Sequence, residues 1–232
     1  MNQDENFTVL FEIGYSSGIY IDEYINDNEI IPLDEFILNF KGRMVGCLKF
    51  KDFIIELKKY NQSIKNKIKF IGIDLEYQKN IAEIILEVLK EQNRKVEWGI
   101  LKENLIHTNE CEVLDDNFYE KARENYLYKN FLTHYDSEKN YICFMGAYHT
   151  KIEIKNNLIN QIIDKKISFL TLEMIYQNSQ RTIKEQGEFK IIEINDELNE
   201  GEYLRQEDIL IKKTDERIGK ILIKNAKFLK ML

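Results

Sequence analysis

One proline, Pro32, and ten glycines in 232 residues leave few places where a helix or strand must break, so long regular elements are expected. Cysteine is also scarce: Cys47, Cys111 and Cys143 are far apart and odd in number. They fit neither a zinc-ligand spacing nor a disulfide framework, and they read as reduced thiols in a cytoplasmic protein. Nowhere does an uncharged apolar run reach the ~18 residues of a membrane-spanning helix. Met1 to Asn6 has no basic stretch followed by an apolar one, so no signal peptide is expected. Lys and Arg are scattered, and the net charge is −7. No basic stripe follows a phosphate backbone, which argues against a nucleic-acid partner.

What the chain does have is apolar substance. Hydrophobic residues make up 44% and aromatics 12%, enough for a real core and against intrinsic disorder. Short apolar runs alternate with helical patterns, the signature of an α/β protein with a mostly parallel central sheet flanked by helices. Strands are expected at 7–11, 68–73, 141–145, 167–172 and 189–194. Helices are expected over 19–24, 50–60, 81–92 and 113–134, the second from Phe53, Ile54, Leu57 and Tyr60 at helical spacing. Beyond Gly201 the pattern is weak. No linker rich in Pro, Gly or Ser divides the chain, and residues 1–232 read as a single domain.

Three polar signals follow three of these strands directly: Glu12 after Phe11, Asp74 after Ile73, and Gly146-Ala-Tyr-His149 after Met145. In an open parallel sheet, ligands bind in the crevice outside the carboxyl ends of the strands. If the strands are parallel neighbours, two carboxylates and an imidazole converge there as a plausible acid–base set. The competing reading makes each carboxylate a helix cap. On the long helix, Arg123, Leu127 and Asn130 share one stripe bordered by Tyr119, Tyr126 and Phe131. That stripe turns Arg123 toward protein, where a guanidinium requires a carboxylate such as Glu12 or Asp74. Otherwise Arg123 lies at the surface, paired with Glu120 or Glu124.

These residues resemble the erythromycin esterase family. Phe11-Glu12-Ile-Gly-Tyr-Ser-Ser-Gly18, followed by Ile21-Asp22-Glu23-Tyr24-Ile25, is similar to that family's glutamate, small-residue turn and helix ending in Asp-x-Tyr-Ile. Phe53 to Asn61 is similar to its helix ending in Tyr-Asn, and Phe70-Ile-Gly-Ile-Asp74 to the Phe-x-Gly-x-Asp strand that follows. Arg123-Glu124-x-x-Leu127-x-x-Asn130 resembles the Arg-Asp-x-x-Met-Ala-x-Asn helix. Tyr141 to His149 resembles the strand and His-Asn-x-His turn, with Gly146 at the first histidine and His149 at the second. Gly-Ala-x-His is also similar to a turn in the haem-binding and metalloprotease branches of the broader fold group. The matches run in order from residue 7 to about 155.

The resemblance implies hydrolysis of an ester, with a macrolide as one candidate, by activated water, in a family related to antibiotic resistance, with no cofactor. Glu12 and His149 would form the acid–base pair, Arg123 would hold developing negative charge, and Asp74 would orient a partner. The family's opening strand carries a Gly-Glu-x-x-His-Gly type motif, and only six residues precede Phe7. The resemblance therefore implies a missing first strand and a missing water-activating histidine, with weak or absent turnover. The alternative is a non-catalytic ligand-binding or interaction protein with the same fold. A missing strand would also leave the edge beside Phe7–Phe11 bare, inviting a rearranged terminal segment or a homodimer across it. The segment between Asp74 and Arg123 is expected to be short, without the helical cap of fuller members.

Overall fold

In a computed structural model of the protein, residues 7–40, 48–150, 154–165 and 167 are described. Beyond them the description covers the backbone of strands within 171–224. The chain packs as two compact units, one running to Lys165 and the other from Lys166 to Lys230. The sequence alone reads as one domain because nothing in its composition marks this join.

The first unit comprises β1 (Phe7–Gly14), α1 (Tyr15–Ile25), α2 (Leu33–Leu38), α3 (Leu48–Ser63), β2 (Lys69–Asp74), α4 (Lys79–Glu91), α5 (Lys95–Glu112), α6 (Asp116–His134), β3 (Asn140–Phe144), α7 (Ala147–Thr150) and α8 (Leu158–Asp164). Its three strands are all parallel, in the order β2-β1-β3. The chain is thus α/β, with a parallel sheet flanked by helices. Among the described residues no helix is long and apolar enough to cross a membrane.

β1 lies at the centre of this sheet. Thr8 faces Lys69 on one side and Tyr141 on the other, and the pairing continues through Phe11. The expectation of a bare edge beside Phe7–Phe11 is therefore wrong, and with it goes the reason for a homodimer across that edge. β3 fills the position, which sequence order could not reveal. Both faces of β2 are covered from Phe70 to Asp74, as expected of a strand sandwiched between helices.

α1 begins at Tyr15, earlier than expected, because the Ser-Ser-Gly run is helical and buried rather than a turn. Gly18 explains why. A Cβ there would lie 2.0 Å from the Gly72 backbone nitrogen, so the helix seats directly on β2 only because Gly18 lacks a side chain. Tyr20 stacks on Phe36 of α2 with ring centroids 3.9 Å apart, which ties α1 to the next layer. α6 starts behind Asp115, whose side chain accepts from the Phe118 N–H at 3.2 Å and satisfies one of the helix's orphan donors.

Between Asp74 and Arg123 lie α4, the helix expected over 81–92, and the 18-residue α5, which the sequence reading does not contain. The buried face of α5 is Leu101, Asn104, His107, Thr108 and Cys111. The spacing is helical but the face is mostly polar, so hydrophobic periodicity misses it.

The second unit is all strand among the described residues. β4 (Thr171–Gln177), β7 (Leu204–Gln206), β8 (Ile209–Lys213) and β9 (Ile218–Lys224) form a sheet in the order β4-β9-β8-β7, and β5 (Ser179–Glu185) pairs antiparallel with β6 (Glu188–Ile194). The strand expected at 189–194 is β6. Of the one expected at 167–172, only the last two residues are in β4, and 168–170 lie outside the described residues. Cys47 lies outside them too.

Candidate active site

β1 does not stop at Phe11, as its sequence suggests, but continues to Gly14. Phe11 faces Gly72 and Gly14 faces Asp74, so β1 holds one more residue than β2 across that step. This bulge at the end of the strand includes Glu12 and re-aims its side chain. Asp74 is the last residue of β2 and is 2% exposed. α6 supplies Arg123 and Glu124, while the short turn α7 after β3 supplies His149.

These side chains join in one continuous line. Arg123 meets Asp74 side-on, Nε donating to Oδ1 at 3.0 Å and Nη2 to Oδ2 at 2.6 Å. Nη2 also donates to Glu12 Oε1 at 2.8 Å. The same oxygen lies 3.0 Å from His149 Nε2, and Glu12 Oε2 accepts the Gly146 N–H. On its far side, His149 Nδ1 bonds Glu124 Oε1, and Glu124 Oε2 accepts the Leu158 N–H at 2.6 Å. The order Asp74, Arg123, Glu12, His149, Glu124 thus alternates carboxylate and cation through the interior of the unit. The geometry brings together all four residues expected from sequence. Arg123 does not pair with Glu120 or Glu124 at the surface, and neither Glu12 nor Asp74 serves merely as a helix cap.

Charge and burial act together along this line. Burial by itself would lower the pKa of His149, but its hydrogen bonds to Glu12 and Glu124 and their charges outweigh that and push it up to about 9. For Glu12, burial would raise the pKa. The hydrogen bonds from His149 and Gly146, with the charges of His149 and Arg123, bring it down to about 2. Arg123 is held firmly in its charged form, since the bonds and charge of Asp74 exceed the effect of burial. At neutral pH, His149 is therefore an imidazolium clamped at both ring nitrogens.

Sequence reasoning placed Glu124 only as a local partner for Arg123. The structure makes it as enclosed as Asp74, 2% exposed, and binds it to His149. Its place beside Arg123 on one helix gave no hint that it faces a different cation. A second layer was missed as well. Asn104 of α5 donates to the Asp74 carbonyl at 2.9 Å and to Glu76 Oε1 at 2.8 Å. Asn130 of α6 donates to the Ile73 carbonyl at 2.9 Å and to Asn104 Oδ1 at 3.0 Å. Glu76 is fully buried. It accepts from Ser16 Oγ at 2.6 Å and Ser16 N at 3.1 Å, at the start of α1. Burial pushes its carboxyl above the ordinary range, against the pull of those bonds. Asn104, Asn130 and Glu76 fasten the end of β2 to α1, α5 and α6, and so fix where Asp74 presents its carboxylate. Asn130 was visible as part of the Arg123 stripe; Asn104 and Glu76 had no sequence signal beyond their type.

Among the described residues no group of three or more His, Cys, Asp or Glu side chains is arranged to hold a metal ion. The remaining histidines stand apart from this line: His107 stacks on Tyr126 and His134 on Tyr15.

Fold and site together define an α/β protein with a buried, alternating line of charges at the carboxyl ends of three parallel strands. No protein-family model matches the chain, and no curated protein matches its sequence. Two solved structures share its fold. A succinoglycan biosynthesis protein aligns with a TM-score of 0.61 at 12% identity, covering 97% of this chain and 81% of its own. A protein from Bacillus cereus aligns with a TM-score of 0.58 at 11% identity, covering 99% and 83%. At such identities the likeness is one of fold.

Proposed function

We propose that the crevice at the carboxyl ends of β1, β2 and β3 is an ester-hydrolysing site of the erythromycin esterase type, with a small-molecule ester as substrate and weak or no turnover in this chain. The observation that carries the reading is the line from Asp74 to Glu124, with Glu12 and Arg123 at its solvent-facing middle, 23% and 16% exposed at their side chains. In ester hydrolysis, water attacks the carbonyl carbon and gives a proton to a base while the carbonyl π electrons move onto oxygen; those electrons then re-form the carbonyl as the C–O bond breaks, and the leaving alkoxide takes up a proton. Arg123 is the group for the developing oxyanion. Glu12 is placed to hold the water, and His149, as imidazolium, is a proton donor for the leaving oxygen. The weakness lies in the base. A positioned general base contributes ~10²–10⁴-fold, and here His149 already carries its proton while Glu12 is held near pKa 2.

The same electrostatics favour a second reading, a non-catalytic ligand-binding relative, because both nitrogens of His149 are already engaged by carboxylates. Assays with p-nitrophenyl acetate and a macrolide lactone test the first reading. Hydrolysis should be slow, and what there is should disappear in Glu12→Gln. Robust turnover abolished by His149→Ala would contradict the assigned weakness. Turnover indifferent to changes at both Glu12 and His149 would place the site elsewhere.

A further inference from the structure

Glu124 holds two donors that reach it from different helices. Its Oε2 accepts the Leu158 N–H at 2.6 Å, and its Oε1 bonds His149 Nδ1. Leu158 opens α8 directly behind the N-cap Asn157, so its N–H has no acceptor inside the helix. Asn157 in turn donates to the Tyr148 carbonyl at 2.8 Å, one residue before His149. Leu158 and Glu124 are each 2% exposed. Buried to that extent, the donor and the carboxylate depend on one another.

The hydrogen-bond roles at His149 follow from atom type. A carboxylate only accepts, so Glu124 Oε1 requires a proton on Nδ1. Glu12 Oε1 accepts from Arg123 at 2.8 Å and lies 3.0 Å from Nε2, which requires a proton there as well. The two carboxylates are not equivalent. Glu12 is 23% exposed at its side chain and stands in the crevice, whereas Glu124 is 3% exposed and lies on the far side of the ring. The Nε2 proton is the one the crevice can use. The charged groups in this network are Glu12 from β1, Glu124 from α6 and, across Glu12, Arg123. From α7 comes the Tyr148 ring, edge-to-face with that of His149 at 5.7 Å, and α8 contributes Asn157 and Leu158, which carry no charge.

We propose that Glu124, fixed by the Leu158 N–H, is the positioning residue of this site: it orients the His149 ring with Nε2–H toward Glu12 and the crevice, and so makes His149 the acid of the reaction. The word acid rests on the hydrolytic reading; the placing of the protons does not. In turnover the Nε2 proton passes to the leaving alkoxide oxygen as its bond to the acyl carbon breaks. A proton from water then restores Nε2, while Nδ1 keeps its own against Glu124.

Glu124→Gln separates this role from a merely structural one. The buried Leu158 N–H keeps the glutamine oxygen, so the amide NH2 is the group that meets Nδ1. A donor facing Nδ1 disfavours a proton there and favours a neutral ring protonated on Nε2 alone. Nitrogen-15 NMR of the full, histidine-labelled chain should show the His149 midpoint fall by about 1–2 pH units, the equivalent of one charged hydrogen bond, with Nδ1 as the nitrogen that deprotonates. Adding Leu158→Pro removes the N–H that fixes the amide, and proline suits the first position of a helix. The glutamine oxygen is then free to turn to Nδ1, and the midpoint should rise again. In the parent chain, which needs no variant to fold, the Leu158 amide proton should move with the His149 titration near pH 9, because Glu124 joins the two. An unchanged midpoint in Glu124→Gln, a double variant whose midpoint stays down, or a Leu158 amide indifferent to the His149 titration would each overturn the proposal.

Hydrolysis supplies the separate check on the acid. In Glu124→Gln, turnover of ethyl acetate, whose leaving alkoxide needs a proton, should fall more than that of p-nitrophenyl acetate, whose phenolate does not. Protons placed as expected with both esters affected alike would uphold the positioning by Glu124 and count against the hydrolytic reading alone.

Discussion

Replacing Arg123 by alanine is expected to remove roughly 3–5 kcal/mol of folding stability, the usual effect of breaking a buried ion pair from one side. The magnitude follows from what is left behind. The Asp74 side chain is 3% exposed and would lose both halves of a side-on bidentate bond, while Glu12 would lose one of its two cations. Asp74 cannot turn to water without dismantling the end of β2. Against a domain stability of about 5–15 kcal/mol, such a loss is large. Arg123→Lys should recover only part of it, because a point charge cannot reproduce the fork. Combining Arg123→Ala with Asp74→Asn should cost less than the two single changes added together, since each removes the other's reason for strain. Urea unfolding of the parent, the three single variants and the double variant measures this. A loss below about 1 kcal/mol would put Arg123 in the class of surface pairs and would dissolve the line at its centre.

The second large effect is on pH. His149 has its pKa raised from 6.5 to about 9 in the folded chain. Its contribution to stability is therefore complete below about pH 6.5 and is lost as pH rises through about 9. A rise of that size corresponds to roughly 3 kcal/mol. Glu12 works in the opposite direction: lowered from 4.5 to about 2, its contribution is complete above pH 4.5 and is lost as pH falls through 2. Both contributions are complete between about pH 4.5 and 6.5, and the alkaline decline above that window is the one that belongs to His149. Denaturant unfolding at intervals from pH 6 to 10 should show that decline, and His149→Gln should flatten it. A parent protein equally stable at pH 6 and pH 9.5 would mean that the imidazole is not held as a cation.

How much of this was legible beforehand depended on the kind of signal. The three parallel strands of the first unit were readable because their apolar runs are short and end in polar residues. The convergence of Glu12, Asp74 and His149 followed from the rule that such strands present their carboxyl ends together. Arg123 could be aimed inward because its stripe on α6 includes Leu127. What stayed hidden was of two kinds. α5 packs a polar face through Asn104, His107 and Thr108, so a search for apolar spacing passed over it. Spatial order was the other: that β3 would lie beside β1 and place His149 between Glu12 and Glu124 is a property of the sheet, not of any local run. Glu124 shows the limit plainly. Next to Arg123 in sequence, it pairs instead with a histidine 25 residues away.

The line of alternating charges stands or falls with the protonation state of His149. If two carboxylates clamp its ring, both nitrogens carry protons at pH 7 and the residue cannot act as the base that activates water. Nitrogen-15 NMR of histidine-labelled protein, titrated from pH 5 to 10 and assigned with His149→Gln, reports this ring alone. An imidazolium signature is expected at neutral pH, with a midpoint near 9. A ring that is neutral at pH 7, with a midpoint at or below 6.5, would contradict both the line of alternating charges and the weak turnover derived from it.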